Sequence, residues 1–394
     1  MGIHATKFIG ACCTLALCFC TEHPLCVSWL LWVKLRGKRR TSLFSLKTSP
    51  SKMSDPKILF VGAGAIGAAV AAWVAEHYAE VYIQDIGEIQ IALEANGITT
   101  YQTDAPSTSR RTTPIRTLKH LADTRQIDIV VLAVKNYSLD AAAQQVHAQF
   151  GDRPIIVSMA NGAYNQSVLP KLFSKVIYCV VGFNARRDAP VVVGFKAKGP
   201  LLLGTPDNSL QAELHQVQAV LARGCPTQIV DRLQDAVHTK IVVNLVNALD
   251  ALVGRGSGSL SGPDAYQKLL LHTWWEGARI MRASGYHEYR IRGFPSFMTL
   301  RFAMFLPSWV VRPLLSRKLR NVVMTSMTQD VLLRGAYQTE LDSLTGYVLG
   351  LAKRAGISAP YNEAIYRLGQ KHFHPGFVPL HCEDVLAAVS QAGS

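Results

Sequence analysis

Lys240 and Asn244 stand four residues apart in Asp235-Ala236-Val237-His238-Thr239-Lys240-Ile241-Val242-Val243-Asn244-Leu245-Val246-Asn247-Ala248-Leu249, a run that is otherwise largely apolar. If the run is one helix, both side chains share a face. Burial disfavours an ammonium and lowers its pKa, and a neighbouring carboxylate raises it again. A lysine tuned in this way can donate a proton to a developing alkoxide near neutral pH. The bland alternative is a lysine whose stem covers apolar surface while its amine reaches water.

Such a donor needs an acceptor chemistry, and the stretch from Lys57 to Val74 supplies a candidate. The apolar run Ile58-Leu59-Phe60-Val61 reads as a buried parallel strand, and an alanine-rich helical stretch follows Gly62-Ala63-Gly64-Ala65-Ile66-Gly67. Gly62 permits the tight turn, Gly64 lets the backbone approach a pyrophosphate, and Gly67 lets helix and strand pack closely. The first amides and the dipole of the helix favour the phosphate charge. The strand-then-helix context separates this motif from a glycine-rich turn that binds nothing. Asp85 ends the second strand, Glu80-Val81-Tyr82-Ile83-Gln84-Asp85, at the fingerprint position of the acid that meets the ribose hydroxyls. Ile86 follows it, where a cation would receive a 2′-phosphate, so the local chemistry favours NADH over NADPH. The alternative for Asp85 is a surface acid without a ligand.

The elements that position these groups alternate regularly. Ile127 to Val134 reads as another buried strand with Lys135-Asn136 at its carboxyl end. Pro154 to Met159 reads as the next, ending at Asn161-Gly162. Ligands of open α/β sheets bind at that edge. Ser138 is placed to cap a helix over Leu139 to Phe150. Val176 to Val181 is a further strand, and Val191 to Val193 with Leu201 to Leu203 reads as a hairpin-like pair. The expected class is α/β, a Rossmann-type doubly wound sheet with antiparallel additions over 54–230. From 231 to 394 the periodicity is helical, giving an all-α substrate and catalytic domain. Met298 to Val311, with Phe302, Phe305 and Trp309, is apolar and flanked by Arg301, Arg312, Arg317, Lys318 and Arg320; a packed helix pair is expected there rather than a membrane-surface helix.

The 394 residues allow two domains, and 49% hydrophobic with 17% charged residues describes an ordered, core-forming chain. Residues 1–53 hold eight Lys/Arg against one Glu, which leaves 33 basic and 26 acidic residues, a net +7, for the rest. That moderate charge suits anionic small molecules, and no nucleic-acid or metal-binding motif is present. Five cysteines crowd residues 1–53, whereas Cys179, Cys225 and Cys382 stand singly, without the spacing of a disulfide framework. Residues 1–53 read as a signal-anchor, a leader, or an upstream extension with Met53 as the real start. The directness with which Met53-Ser54-Asp55-Pro56 enters the first strand favours the last. A cytoplasmic enzyme is then expected, with membrane or organellar contact only if residues 1–53 are retained.

Taken in order, the glycine turn, Val134-Lys135, Asn161-Gly162, Gly182-Phe183-Asn184-Ala185-Arg186-Arg187-Asp188, Lys240-x-x-x-Asn244, Ser326-Met327-Thr328-Gln329-Asp330 and Thr339-Glu340-Leu341-Asp342 resemble the 2-dehydropantoate 2-reductase, or ketopantoate reductase, family from Lys57 to Ser390. The resemblance implies hydride transfer from NAD(P)H to the C2 carbonyl of 2-dehydropantoate, giving pantoate for pantothenate biosynthesis. It implies Lys240 as general acid and Glu340 as the group orienting Lys240 and the nicotinamide end. It also implies Asn161, Asn244 and Ser326 as substrate contacts, and Lys135, Asn161 and Ala185 along the cofactor cleft. The family's habit favours NADPH, against the reading of Asp85-Ile86. Ala248 replaces a second asparagine that the family commonly has, and Pro295 to Arg320 looks like an insertion. A different 2-keto acid or an opine-type imine is the alternative substrate, and a non-catalytic dinucleotide-binding regulator the alternative class. A homodimer is a further expectation.

Overall fold

β1 (Ile58–Val61) is buried at every residue, as a central parallel strand covered on both faces must be. From it the chain runs through α1 (Ala65–Ala75), β2 (Val81–Gln84) and α2 (Gly87–Asn96). Three short strands follow, β3 (Ile98–Gln102), β4 (Arg111–Thr113) and β5 (Arg116–Thr117). Next come β6 (Ile129–Leu132), α3 (Asn136–Phe150), β7 (Ile155–Ser158), α4 (Asn165–Val168) and β8 (Val176–Val181). β9 (Ala185–Ala189), β10 (Val192–Phe195), β11 (Leu201–Gly204), α5 (Gln211–Leu221) and β12 (Thr227–Ile229) complete the sheet portion. Helices then dominate: α6 (Leu233–Asn244), α7 (Val246–Leu252), α8 (Pro263–Ala283), α9 (Phe297–Ala303), and three more over Tyr347–Ala355, Pro360–His372 and Cys382–Ala392.

This computed structural model describes residues 55–258, 260–291, 294–306, 310, 313, 324–335 and 338–392. The expectations for residues 1–53, and for Trp309, Val311, Arg312, Arg317, Lys318 and Arg320, lie outside the described residues. Ser54–Ser394 forms one compact unit. Among the described residues no helix is long and apolar enough to cross a membrane. Cys179, Cys225 and Cys382 are buried and free.

The main sheet has eight strands in the order β12-β11-β8-β7-β6-β1-β2-β5. All neighbours in it are parallel except β8 and β11. The doubly wound α/β expectation holds. One detail differs: the stretch around Val192 and the stretch around Leu202 do not pair. β10 joins β3, β4 and β9 in a separate four-stranded sheet, while β11 crosses back to β8. The reason lies in α1, whose residues from Gly67 to Val74 are all buried. A helix apolar all round must be covered on both sides. The main sheet covers one side, and the second sheet the other, with Trp73 packed on Phe183 and Phe195 at ring separations of 5.2 and 4.8 Å.

Two local readings also change. α3 begins at Asn136 with Lys135 as its N-cap residue, so Ser138 lies inside the first turn and caps nothing. The helix expected over Asp235 to Leu249 breaks at Leu245 into α6 and α7, which puts Lys240 and Asn244 together on α6 and Asn247 on α7.

The glycine turn has two tight positions and one open one. Gly62 has a φ of +102°, and a Cβ on Gly67 would sit 2.1 Å from the Gly62 carbonyl oxygen and 2.8 Å from Ala133 Cβ. A Cβ on Gly64 would meet nothing within 4 Å. Gly67→Ala is therefore expected to lower the unfolding free energy by about 1–3 kcal/mol through overpacking, read by urea unfolding, whereas Gly64→Ala leaves stability near wild type. Equal stability of Gly67→Ala and wild type would contradict this packing.

Candidate functional site

The carboxyl edge of the parallel strands gathers the polar groups. β1 leads into the glycine turn, β6 is followed by Lys135 and β7 by Asn161. Gly64 is the N-cap residue of α1 and has no side chain to cap it, so the first helix amides face open space over a backbone that nothing crowds. A pyrophosphate fits there on charge and on room. Asp85 folds back on this turn. Its Oδ2 accepts from the Ala63 amide at 2.5 Å and its Oδ1 from the Ile86 amide at 2.7 Å. The carboxylate is thus tied to the glycine turn and keeps unused acceptor positions for hydroxyl groups.

Lys135 is the hub of a second group. Its ammonium lies 3.2 Å from Glu340 Oε2 and 3.2 Å from Asp330 Oδ2, both carboxylates being almost fully buried. Burial alone would depress the Lys135 pKa, but the two carboxylates outweigh it and hold the value above the ordinary one. Asp330 is also paired with Arg334 at 2.5 Å. Asn136, 4% exposed, donates from Nδ2 to the Asn161 carbonyl oxygen at 2.8 Å, to Ser343 Oγ at 3.0 Å and to Glu340 Oε1 at 3.3 Å. Asn161 Nδ2 lies 3.4 Å from Glu340 Oε2. Asp330 and Ser343 sit in π-helical turns, Gln329–Leu333 and Asp342–Gly346. Wide turns of this kind shift side chains off the ordinary helical stripe, here toward the sheet edge.

Lys240 occupies different surroundings. α6 packs its apolar face on the sheet, with Val237 and Ile241 in one cluster with Val180 and Leu202. His238 fixes the helix: it bonds the Tyr347 hydroxyl at 2.9 Å and stacks on Tyr286 at 3.4 Å, and burial pushes its pKa down to about 4. Lys240 lines a narrow cavity shared with Asn161, Gly162 and Val237. It also lines a larger one, of about 210 Å³, with Gly182 and Gln228. Burial lowers the Lys240 pKa to about 8. Among the described residues its amine has no hydrogen-bond or ion-pair partner.

Glu340, expected to orient Lys240, turns to Lys135 instead. Glu340 is bonded to Lys135, Asn136 and Asn161, and among the described residues no bond links it to Lys240. An ammonium already near a carboxylate competes better for it than one across the cleft. Asn244 lies one turn beyond Lys240, half-buried. Ser326 opens the turn Ser326–Thr328, capped by Thr325 and packed near α7. Neither is bonded to the Lys135–Glu340 group. Ala185 lies on β9, paired with Phe195, in the second sheet. The sequence placed Asn136 on the ligand edge and Asp330 in a family-like stretch without giving either a role, and Ser343 escaped it altogether. Asn136 carried a usable signal, since it directly follows Lys135 at the ligand edge.

Two family models match the chain: "Ketopantoate reductase PanE/ApbA" over residues 58–208 and "Ketopantoate reductase PanE/ApbA C terminal" over residues 232–372. A 2-dehydropantoate 2-reductase of Pyrococcus horikoshii is 24% identical over 315 residues, covering 79% of this chain and 96% of the relative. Among solved structures, a PanE/ApbA family ketopantoate reductase from Ralstonia eutropha JMP134 superposes with a TM-score of 0.62 at 19% identity, over 86% of this chain and 100% of its own. A D-mandelate dehydrogenase in a ternary structure with NADH and anilino(oxo)acetate gives 0.63 at 15% identity, with the same coverage.

Asn136 can be probed without reference to any ligand. Asn136→Ala strands buried acceptors and should cost about 1–3 kcal/mol of unfolding free energy. Asn136→Asp would place a second carboxylate against Glu340, so its deficit should grow as pH rises through the carboxylate range and shrink near pH 4. Denaturant unfolding at both pH values reads this out, and a pH-independent deficit would contradict the arrangement.

Proposed function

The chain belongs to the ketopantoate reductase family and is an NAD(P)H-dependent oxidoreductase, and from that premise we propose that it reduces the C2 carbonyl of 2-dehydropantoate to pantoate with Lys240 as the proton donor. The observation that carries the reading is Lys240 itself, an amine without a partner among the described residues, lining one narrow cavity with Asn161, with its pKa lowered to about 8. In this reading residues 54–230 hold the dinucleotide and residues 231–394 bring the acid.

The nicotinamide cofactor, when bound, supplies the hydride that becomes the C2 hydrogen of the product. The chain supplies the rest. The amides after Gly64 hold the pyrophosphate, and Asp85 accepts from ribose hydroxyls. Lys135, kept cationic by Asp330 and Glu340, lines the path along the strand ends. Asn161, Asn244 and Ser326 orient the substrate's polar groups. Lys240 gives its proton to the carbonyl oxygen as negative charge develops there, and regains one from solvent. An amine titrating near 8 is mostly protonated at neutral pH, yet is a stronger acid than an ordinary lysine.

Asp85 repels a 2′-phosphate and Ile86 offers it no cation, so NADH is the proposed cofactor. A different 2-keto acid is the second reading. It is favoured by Ala248, fully buried where the family commonly has an asparagine, and by the helix break that turns Asn247 onto α7.

Since the protonated amine is required, kcat/KM for ketopantoate reduction should be full below about pH 8 and fall above it. Lys240→Met should lower turnover by about 10²–10⁴-fold while NADH binding persists. Wild-type-like turnover in Lys240→Met would remove the proposed acid. Initial rates with both cofactors should favour NADH, and faster turnover with NADPH would overturn the reading of Asp85 and Ile86.

A further inference from the structure

The cavity of about 210 Å³ opens at the carboxyl end of β8, one strand beyond Asn161 in the sheet order. Its floor is apolar, made by Val180, Pro200 and Leu202. Two cations face it from different segments, Lys240 on α6 and Arg290 in the chain that follows α8. Among the described residues no Asp or Glu lines it.

Arg290 is held at this place by its neighbours. The Tyr286 ring stacks on His238 at 3.4 Å, the His287 amide donates to Asp235 Oδ1 at 2.7 Å, and the Tyr289 amide donates to Thr239 Oγ1 at 2.9 Å. All three anchors belong to α6, the helix that carries Lys240. The segment therefore runs alongside α6 and delivers Arg290 to the cavity that Lys240 lines. Among the described residues the Arg290 guanidinium has no hydrogen-bond or ion-pair partner.

A 2-keto acid carries a carboxylate next to the carbonyl that is reduced. Asn161, Asn244 and Ser326 are all neutral, so none of them balances that charge. We propose that Arg290 reads the substrate carboxylate, with the carbonyl oxygen toward Lys240 and the carbon chain on the Val180–Leu202 floor. A planar guanidinium matches the two oxygens of a carboxylate with paired hydrogen bonds. The cavity is smaller than the ~300–1,000 Å³ of pockets for drug-sized ligands, which selects a small acid over an acyl carrier conjugate or a peptide. This assignment rests on the 2-keto acid reading above and adds the residue that selects acids over neutral ketones.

The test compares wild type with Arg290→Gln and Arg290→Lys, using ketopantoate and its neutral amide as substrates and NADH titration as a folding and cofactor control. Arg290→Gln should raise the KM for the acid about 10- to 100-fold, leave the amide's KM unchanged and leave NADH affinity as in wild type. Arg290→Lys should recover part of the loss. An unchanged KM for the acid, or equal losses for acid and amide, would overturn the assignment. If wild type reduces no 2-keto acid, the broader reading fails on its own, and calorimetric titration of pantoate into wild type and Arg290→Gln still decides the site. Weaker binding to the variant supports it, and equal or absent binding in both overturns it.

Discussion

The Lys135 ammonium, clamped between Asp330 and Glu340, is the interaction on which the arrangement of the site depends. It joins the end of a sheet strand to two segments about 200 residues later in the chain. Burying three charged groups is costly unless each is paired and hydrogen-bonded. Here Arg334 takes the second oxygen of Asp330, and Asn136 and Asn161 share Glu340. With those partners in place the helical turns have one position on the sheet edge. Asn161 is fixed by the same network, because its carbonyl oxygen is held by Asn136.

Two lysines in one protein are driven in opposite directions by one physical rule. Lys135 and Lys240 both lose hydration. Lys135 gains two carboxylates and is held as a cation, while Lys240 gains none and its pKa falls to about 8. The first suits a permanent positive charge beside an anionic dinucleotide. The second suits a group that gives up and recovers a proton. Had Glu340 faced Lys240, the ammonium would have been stabilised and its acidity lost.

The glycine turn and its strand and helix were legible in the sequence because they depend on contacts within a few residues. The Lys240–Asn244 face was legible for the same reason. The second sheet was not: whether β10 pairs with β11 or leaves for β3 is decided by the need to cover α1, a contact made far along the chain. That Glu340 bonds Lys135 was not legible either, because both lysines are distant from it in sequence and only packing chooses between them. The break at Leu245 has no glycine or proline to announce it. Arg290 belongs to no motif, and only the anchoring of residues 286–289 on α6 reveals its place.

A crystal structure of the protein with NADH and a 2-keto acid analogue that cannot be reduced would decide whether the glycine turn and Lys240 serve one site. The pyrophosphate is expected on the amides after Gly64 and the analogue between the nicotinamide ring and α6, with Lys240 Nζ within hydrogen-bond distance of its carbonyl oxygen. An analogue bound with Lys240 turned away, or a cofactor whose nicotinamide end lies remote from Asn161, would contradict that arrangement.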